Sequence, residues 1–89
     1  MKKAIVVVYG KDRMGIIYNV TKILYENNIN VLDVKQTTVD GNFNMMAIVD
    51  VTKAKNLSKI KELLSKYGKK SSLDINCQLE DAFVSMHSL

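Results

Sequence analysis

The chain has 89 residues, which fits a single domain spanning residues 1–89, and 47% of them are apolar, too many for a disordered chain. The net charge is +4, Cys77 is the sole cysteine, and the apolar runs are short, as in Ala4 to Val8. These properties exclude an internal disulfide, a metal site built from cysteines alone and a membrane-spanning helix, and we expect a cytoplasmic protein.

The first third of the chain predicts a strand and then a helix. Lys3 to Tyr9 is short, β-branched and apolar on both faces, as in a strand at the centre of a sheet. From Gly15 to Asn27 the apolar residues have helical spacing. They are Ile16, Ile17, Val20, Ile23 and Leu24. Asn27 and Asn28 tolerate left-handed backbone, so the helix is expected to stop there.

A hairpin is predicted next. Asn30 to Val39 is polar-rich but strand-like, and its alternation breaks at Leu32-Asp33, which predicts a bulge in an edge strand. Asp40-Gly41 is a strong signal for a tight hairpin turn. Phe43 to Val51 is again apolar on both faces, so we expect it at the centre of the sheet.

The last third predicts a second helix, a fourth strand and a short final helix. Asn56 is expected to cap the second helix, with Gly68 just beyond its end. Ser72 to Leu79 alternates as a half-exposed strand, with Cys77 pointing inward as a small buried hydrophobe. After Glu80 and Asp81, a short C-terminal helix is indicated by apolar residues at Ala82, Phe83, Met86 and Leu89.

The element order βαββαβ, with two central-type strands between two edge-type strands, predicts an α+β ferredoxin-like sandwich with sheet order 4-1-3-2. Both helices would cover one sheet face. The other face is expected to carry apolar side chains, namely Val6, Val8, Met45 or Met46, and Ala47. Such a face needs a cover, and a second copy of the chain is the simplest one, which predicts a homo-oligomer, either a dimer or a tetramer.

The loop from Gly10 to Ile16 joins the first strand to the first helix. The first N–H groups of a helix have no partner within it, so they attract anions, and Gly15 has no Cβ to keep a ligand carboxylate away. The competing interpretation is that Gly15 serves only the geometry of the turn.

The segment Val8-Tyr9-Gly10-Lys11-Asp12-Arg13-Met14-Gly15-Ile16, followed by Ile29-Asn30-Val31 and Asp33-Val34, resembles the ACT domain family. The family pattern is a hydrophobic strand, a D-R-x-G-hydrophobic loop, a helix and a second strand that opens with I-N-V. The whole chain, with Asn42 to Ala47 and Phe83 after acidic residues, is similar to the stand-alone UPF0237 ACT proteins, which look related to the ACT halves of the glycine cleavage regulator.

This resemblance implies a regulatory module without catalytic activity or a cofactor. ACT domains typically bind amino acids at a subunit interface, between the first loop of one copy and the start of the second strand of another. Two features depart from the pattern: Met14 stands where proline is common, and Asp12 is acidic where asparagine is frequent. The alternative is an assembly module whose ligand site is vestigial.

The expected ligand-binding residues are Asp12, Arg13, Met14, Gly15, Ile16, Asn30 and Asp33. Local roles compete with ligand binding for several of them. Asp12 could cap the first helix, and Arg13 could form an ion pair instead of clamping an anion. Asn30 could satisfy backbone groups at the strand start, and Asp33 could pair with Lys35 instead of a ligand ammonium.

Other functions on the same fold fit poorly. A metal chaperone needs a cysteine pair in the first loop, and an RNA-binding module needs stacking aromatics where the third strand reads FNMMAIVDV. Residues 53–70 hold seven lysines against Glu62, which is interpreted first as a solvated helix face and only second as a nucleic-acid contact. His87 has no evident partners for catalysis or metal binding. We therefore expect neither nucleic acid nor membrane as a partner.

Overall fold

The computed structural model describes residues 1–11 and 15–80, and it confirms the predicted order of elements within them. The elements are β1 (Lys3–Lys11), α1 (Ile16–Glu26), β2 (Asn30–Val39), β3 (Asn42–Asp50), α2 (Leu57–Ser71) and β4 (Leu73–Leu79). The predicted final helix over residues 82–89 lies outside the described residues. No described helix is long and apolar enough to cross a membrane.

The four strands form one antiparallel sheet in the order β2-β3-β1-β4, so the predicted topology is confirmed. The β2–β3 hairpin turns at Asp40 and Gly41, whose φ angles are 51° and 78°. Two successive residues with positive φ match the twist of the flanking strands, as the Asp-Gly signal predicted. The predicted bulge is also present, because the register of β2 against β3 shifts between Val31 and Asp33.

The prediction of which residues occupy the second sheet face is wrong for Val6, Val8 and Ala47, and of the two methionines offered only Met46 lies there. Val6, Val8, Met45 and Ala47 are at most 2% exposed and pack against the helices, in one core with the helix residues Val20, Leu24, Ile60 and Leu64. The opposite face, which we call the helix-free face, carries Ile5, Val7, Met46 and Ile48 in paired positions of β1 and β3. Because both strands are apolar on both sides, alternation alone could not say which side the helices would cover.

Local hydrogen bonds fix where α1 ends and α2 begins. Asn28 has a φ of 62°, and the N–H groups of Asn28 and Ile29 donate to the carbonyls of Tyr25 and Leu24 at 3.2 and 3.0 Å. This pair of hydrogen bonds closes a helix that is followed by a left-handed residue, here Asn28, as predicted for the Asn pair. At α2 the Asn56 side-chain oxygen accepts from the N–H of Lys59 at 3.1 Å, which confirms the predicted cap.

Gly68 does not end α2, contrary to the prediction. The helix continues to Ser71, and Ser72 adopts the left-handed conformation with a φ of 58°. Gly68 is buried, and a Cβ built on it would lie 2.7 Å from the carbonyl oxygen of Leu73. The glycine therefore allows the backbones of α2 and β4 to approach closely.

Gly68→Ala is expected to lower the free energy of unfolding by about 1–2 kcal/mol, because overpacking against a rigid backbone outweighs the gain of about 1 kcal/mol in helix propensity. Urea denaturation followed by circular dichroism measures the change. Ser65→Ala, at an exposed position of the same helix, is the control and should keep or slightly raise stability. Equal stabilities of the two variants would contradict the close approach.

Cys77 is 6% exposed and belongs to the core, which confirms its predicted inward orientation. Burial raises the pKa of the Cys77 thiol above its usual value. The group therefore stays protonated at neutral pH and packs as a small hydrophobe.

Candidate functional site

The described part of the first loop is the start of α1. Gly15 has φ 86° and ψ 0° and precedes the helix, and no side chain of the described residues caps it through a hydrogen bond. The first helical bond runs from the N–H of Asn19 to the carbonyl of Gly15 at 2.9 Å, and the Asn19 amide nitrogen donates to the same carbonyl. The N–H groups before Asn19 therefore have no acceptor within the helix, so this helix end can receive an anion.

Gly15 and Ile16 differ in what they can offer a ligand. Among the described residues, a Cβ on Gly15 would meet only the Asn19 amide nitrogen, at 3.5 Å, an ordinary van der Waals contact. The positive φ of Gly15 still favours glycine on conformational grounds alone. Ile16 is 3% exposed and packs in the core, so its side chain anchors the helix start and only its backbone can face a ligand. The predicted site residues Asp12, Arg13 and Met14 lie outside the described residues.

Asn30 and Asp33 lie in the first part of β2, near the end of the sheet that is opposite to the first loop. Both strands β1 and β2 pair antiparallel with β3, so they run in the same direction. Asn30 is level with Asp50 and Lys3, where β1 begins, whereas Gly15 follows the end of β1 at Lys11. Eight residue steps along a strand span roughly 26 Å. One chain therefore does not bring Gly15 and Asn30 together.

Asp33 is exposed and lies opposite Ile48, on the helix-free face. The predicted alternative, an ion pair with Lys35, is not formed. Within residues 1–11 and 15–80 the ion pair is that between Lys66 and Glu62, at 3.2 Å on the exposed side of α2. The Asp33 carboxylate is thus available to an external ammonium group.

A cavity of about 330 Å³ lies where α1 ends and β2 begins. It is lined by Tyr25, Asn28, Ile29, Asn30 and Lys53. Of these residues, only Asn30 is predicted from the sequence to bind a ligand. Tyr25 belongs to no motif, and in the sequence Lys53 stands with the lysines of the following helix, so neither carries a local signal for a site. A second cavity, of about 470 Å³, is lined by Met1 to Lys3 with Thr52, Leu79 and Glu80, and contains no predicted site residue.

The backbone beside Lys53 is held by a hydrogen-bonded cluster. The Thr52 hydroxyl and N–H both donate to the Asp50 carboxylate, and the Thr52 hydroxyl accepts from the N–H of Lys2 at 2.9 Å. The bonds from Thr52 hold the pKa of Asp50 below its usual value. Lys53 directly follows this fixed point, and in the described part of the chain its ammonium has no carboxylate within ion-pair distance.

The described ranges contain no candidate metal site, defined as a group of three or more histidine, cysteine, aspartate or glutamate side chains. The groups that can contact a ligand are the amides of Asn28 and Asn30, the Lys53 ammonium, the Asp33 carboxylate and the N–H groups at the start of α1. This is a set suited to binding small polar molecules through charge and hydrogen bonds.

Comparison with known proteins agrees with the fold. The ACT domain family model matches residues 2–78. A solved ACT domain protein from Streptococcus pneumoniae has a TM-score of 0.79 and 28% sequence identity, covering 99% of this chain and 97% of that one. A putative glycine cleavage system transcriptional repressor shares the fold with a TM-score of 0.77 at 17% identity, over 88% of this chain and 45% of that chain.

The chain is therefore a member of the ACT domain family, a class that is typically regulatory and binds ligands. Within this class its full-length relatives are UPF0237 proteins. The one from Clostridium perfringens is 45% identical over 97% of this chain and 98% of its own length. The one from Methanocaldococcus jannaschii is 39% identical over the whole of both chains. The chain belongs to the UPF0237 group of ACT proteins, as its resemblance predicted.

Proposed function

We propose that this protein is a non-enzymatic, cytoplasmic regulatory module that binds a small molecule, an amino acid, at sites shared between two copies of the chain. The observation that carries the proposal is the separation of Gly15 and Asn30 by the length of the sheet. Both were expected to contact one ligand, and a single chain holds them too far apart to do so.

An antiparallel pairing of two β2 edges would solve this geometry. A twofold axis reverses the strand direction, so the start of β2 in one copy meets the end of β2 in the other. Because β2 and β1 run in the same direction, the C-terminal end of β2 lies at the same end of the sheet as the start of α1. Asn30 and Asp33 of one copy would then approach the first loop of the other, giving two identical sites per dimer.

The chemistry of such a site fits a zwitterion. The free N–H groups at the start of α1 would bind the ligand carboxylate, an interaction of about 0.3–1 kcal/mol at an exposed helix end and up to about 2 kcal/mol when partly buried. The Asn30 amide can donate to the same carboxylate, and the Asp33 carboxylate can accept from the ammonium. Contacts from Asp12, Arg13 and Met14 are part of this proposal.

A second candidate is an assembly module without a ligand, and the helix-free face favours it. Val7, Met46 and Ile48 form a partly exposed apolar row on this face beside the buried Ile5, and Met46 is 39% exposed. An apolar row of this kind is typical of a surface that packs against another protein.

Melting temperatures measured with each amino acid separate the two candidates. An amino acid at about 100 times its dissociation constant is expected to add about 2.7 kcal/mol to the stability of the folded state. Asn30→Ala should remove the shift, and Asn76→Ala, an exposed asparagine on β4, is the matched control that should retain it. If no amino acid raises the melting temperature, the ligand-binding function is contradicted and the assembly function is favoured.

Light scattering measures the assembly required by both candidates. At micromolar concentration the mass is expected to be at least twice the 10.0 kDa of one chain. A monomer under these conditions would contradict the shared site, because no single chain can supply both halves of it.

A further inference from the structure

The cavity between the end of α1 and the start of β2 has one charged side chain among the described residues of its lining. Lys53 supplies an ammonium group, Asn28 and Asn30 supply amides, Tyr25 supplies a phenol, and none of the described lining residues carries a carboxylate. The Asp50 carboxylate is close enough for Lys53 to help the bonds from Thr52 lower its pKa, but it lies outside the cavity lining and forms no ion pair with Lys53. A cation with hydrogen-bond donors around it and no acid in the lining is suited to an anionic group. At about 330 Å³ the cavity lies at the small end of ligand pockets.

The backbone before Lys53 is fixed, and the exposed Lys53 side chain has no ion-pair partner in the part of the chain that the structure describes. Thr52, the preceding residue, bonds to Asp50 and to the backbone of Lys2, so the chain on one side of Lys53 is fixed. Among the described residues the Lys53 ammonium has no ion-pair partner, although the chain contains acids in neighbouring elements. A ligand anion would therefore not have to displace a carboxylate of the protein.

Asn30 lines this cavity and is also the residue that the proposed function assigns to the shared ligand site. The two features together define a site with two positions for negative charge. One is the start of α1 from one copy, and the other is Lys53 from the copy that supplies Asn30. We infer that Lys53 is a specificity-determining residue, which binds a second anionic group of the ligand and so selects dicarboxylic amino acids over neutral ones. This inference rests on the proposed function.

Glutamate and glutamine provide the test, because they are nearly isosteric and differ in the charge of the side chain. Calorimetric titration of the intact protein should show glutamate binding about tenfold more tightly than glutamine, the size expected from one charge-assisted hydrogen bond. Lys53→Gln should abolish this preference, and Lys53→Arg should largely retain it. Lys55→Gln, two residues further on and outside the cavity lining, is the matched control and should behave as the unmodified protein.

The outcomes separate this inference from the proposed function. If amino acids bind but glutamate has no advantage, or if Lys53→Gln keeps the advantage, the inference is overturned and the proposed function stands. If no amino acid binds, glutarate serves as a probe that lacks the ammonium group. The readout is then the backbone amide NMR signals of Asn28, Asn30 and Lys53. If glutarate shifts these signals in the unmodified protein but not in Lys53→Gln, the anion site is supported and the amino-acid role fails. An absence of shifts would overturn both.

Discussion

Val6→Lys is expected to prevent folding. Val6, in β1, is completely buried between the sheet and the helices. Cys77 and Ala47 occupy the paired positions in the neighbouring strands. An unpaired ammonium at this position costs several kcal/mol, which is comparable to the whole stability of about 4–13 kcal/mol expected for a domain of this length. Far-ultraviolet circular dichroism should show loss of the native spectrum.

Val7→Lys is the matched control, one residue further along the same strand. Val7 lies on the helix-free face and is partly exposed. A lysine there can lay its aliphatic stem along the sheet and keep its ammonium in water, so the native spectrum should be retained. If the two variants are equally damaging, the assignment of the two sheet faces is wrong.

Mixing two inactive variants is expected to restore about one quarter of the ligand sites. Asn30→Ala and Gly15→Asn each remove one half of the shared site, and asparagine tolerates the positive φ of Gly15 better than other side chains. Random association at equal concentrations places half of the chains in mixed dimers, and each mixed dimer contains one intact site and one doubly altered site, hence about one quarter. Calorimetric titration before and after mixing counts the sites.

The control for this experiment is the double variant, with both substitutions in one chain. Mixed with Asn30→Ala, it cannot form an intact site, so no binding should return. Recovery in this control, or none in the mixture of single variants despite verified exchange of chains, would contradict a site shared between copies.

Most of the fold was predictable because local signals agree with one another. The Asp40-Gly41 turn, the Asn56 cap and the Asn28 stop each follow from short-range chemistry, and the structure confirms all three. The end of α2 was not predictable in this way. A glycine after an apolar stripe indicates a helix end, but Gly68 is needed for contact with a strand that comes later in the chain.

The candidate site shows the same division between local and distant information. Gly15 and Asn30 were found because each stands at the start of an element, where a motif can mark it. Their separation follows only from the pairing of three strands. Lys53 lacked a local signal, since its position beside Tyr25 and Asn30 depends on how the segment after β3 meets the end of α1.

The bulge at Leu32 limits how the β2 edge can be used. A long, unpaired edge strand invites indefinite stacking of chains, the first step towards fibrils, and a bulge interrupts such templating. The regular stretch from Asp33 to Val39 is centred on Gln36. A symmetry axis beside Gln36 would let two copies form a short closed ladder and stop there. Asn30 would then lie beyond the end of the ladder, without backbone pairing to the second copy. Its side chain would be free to contact a ligand.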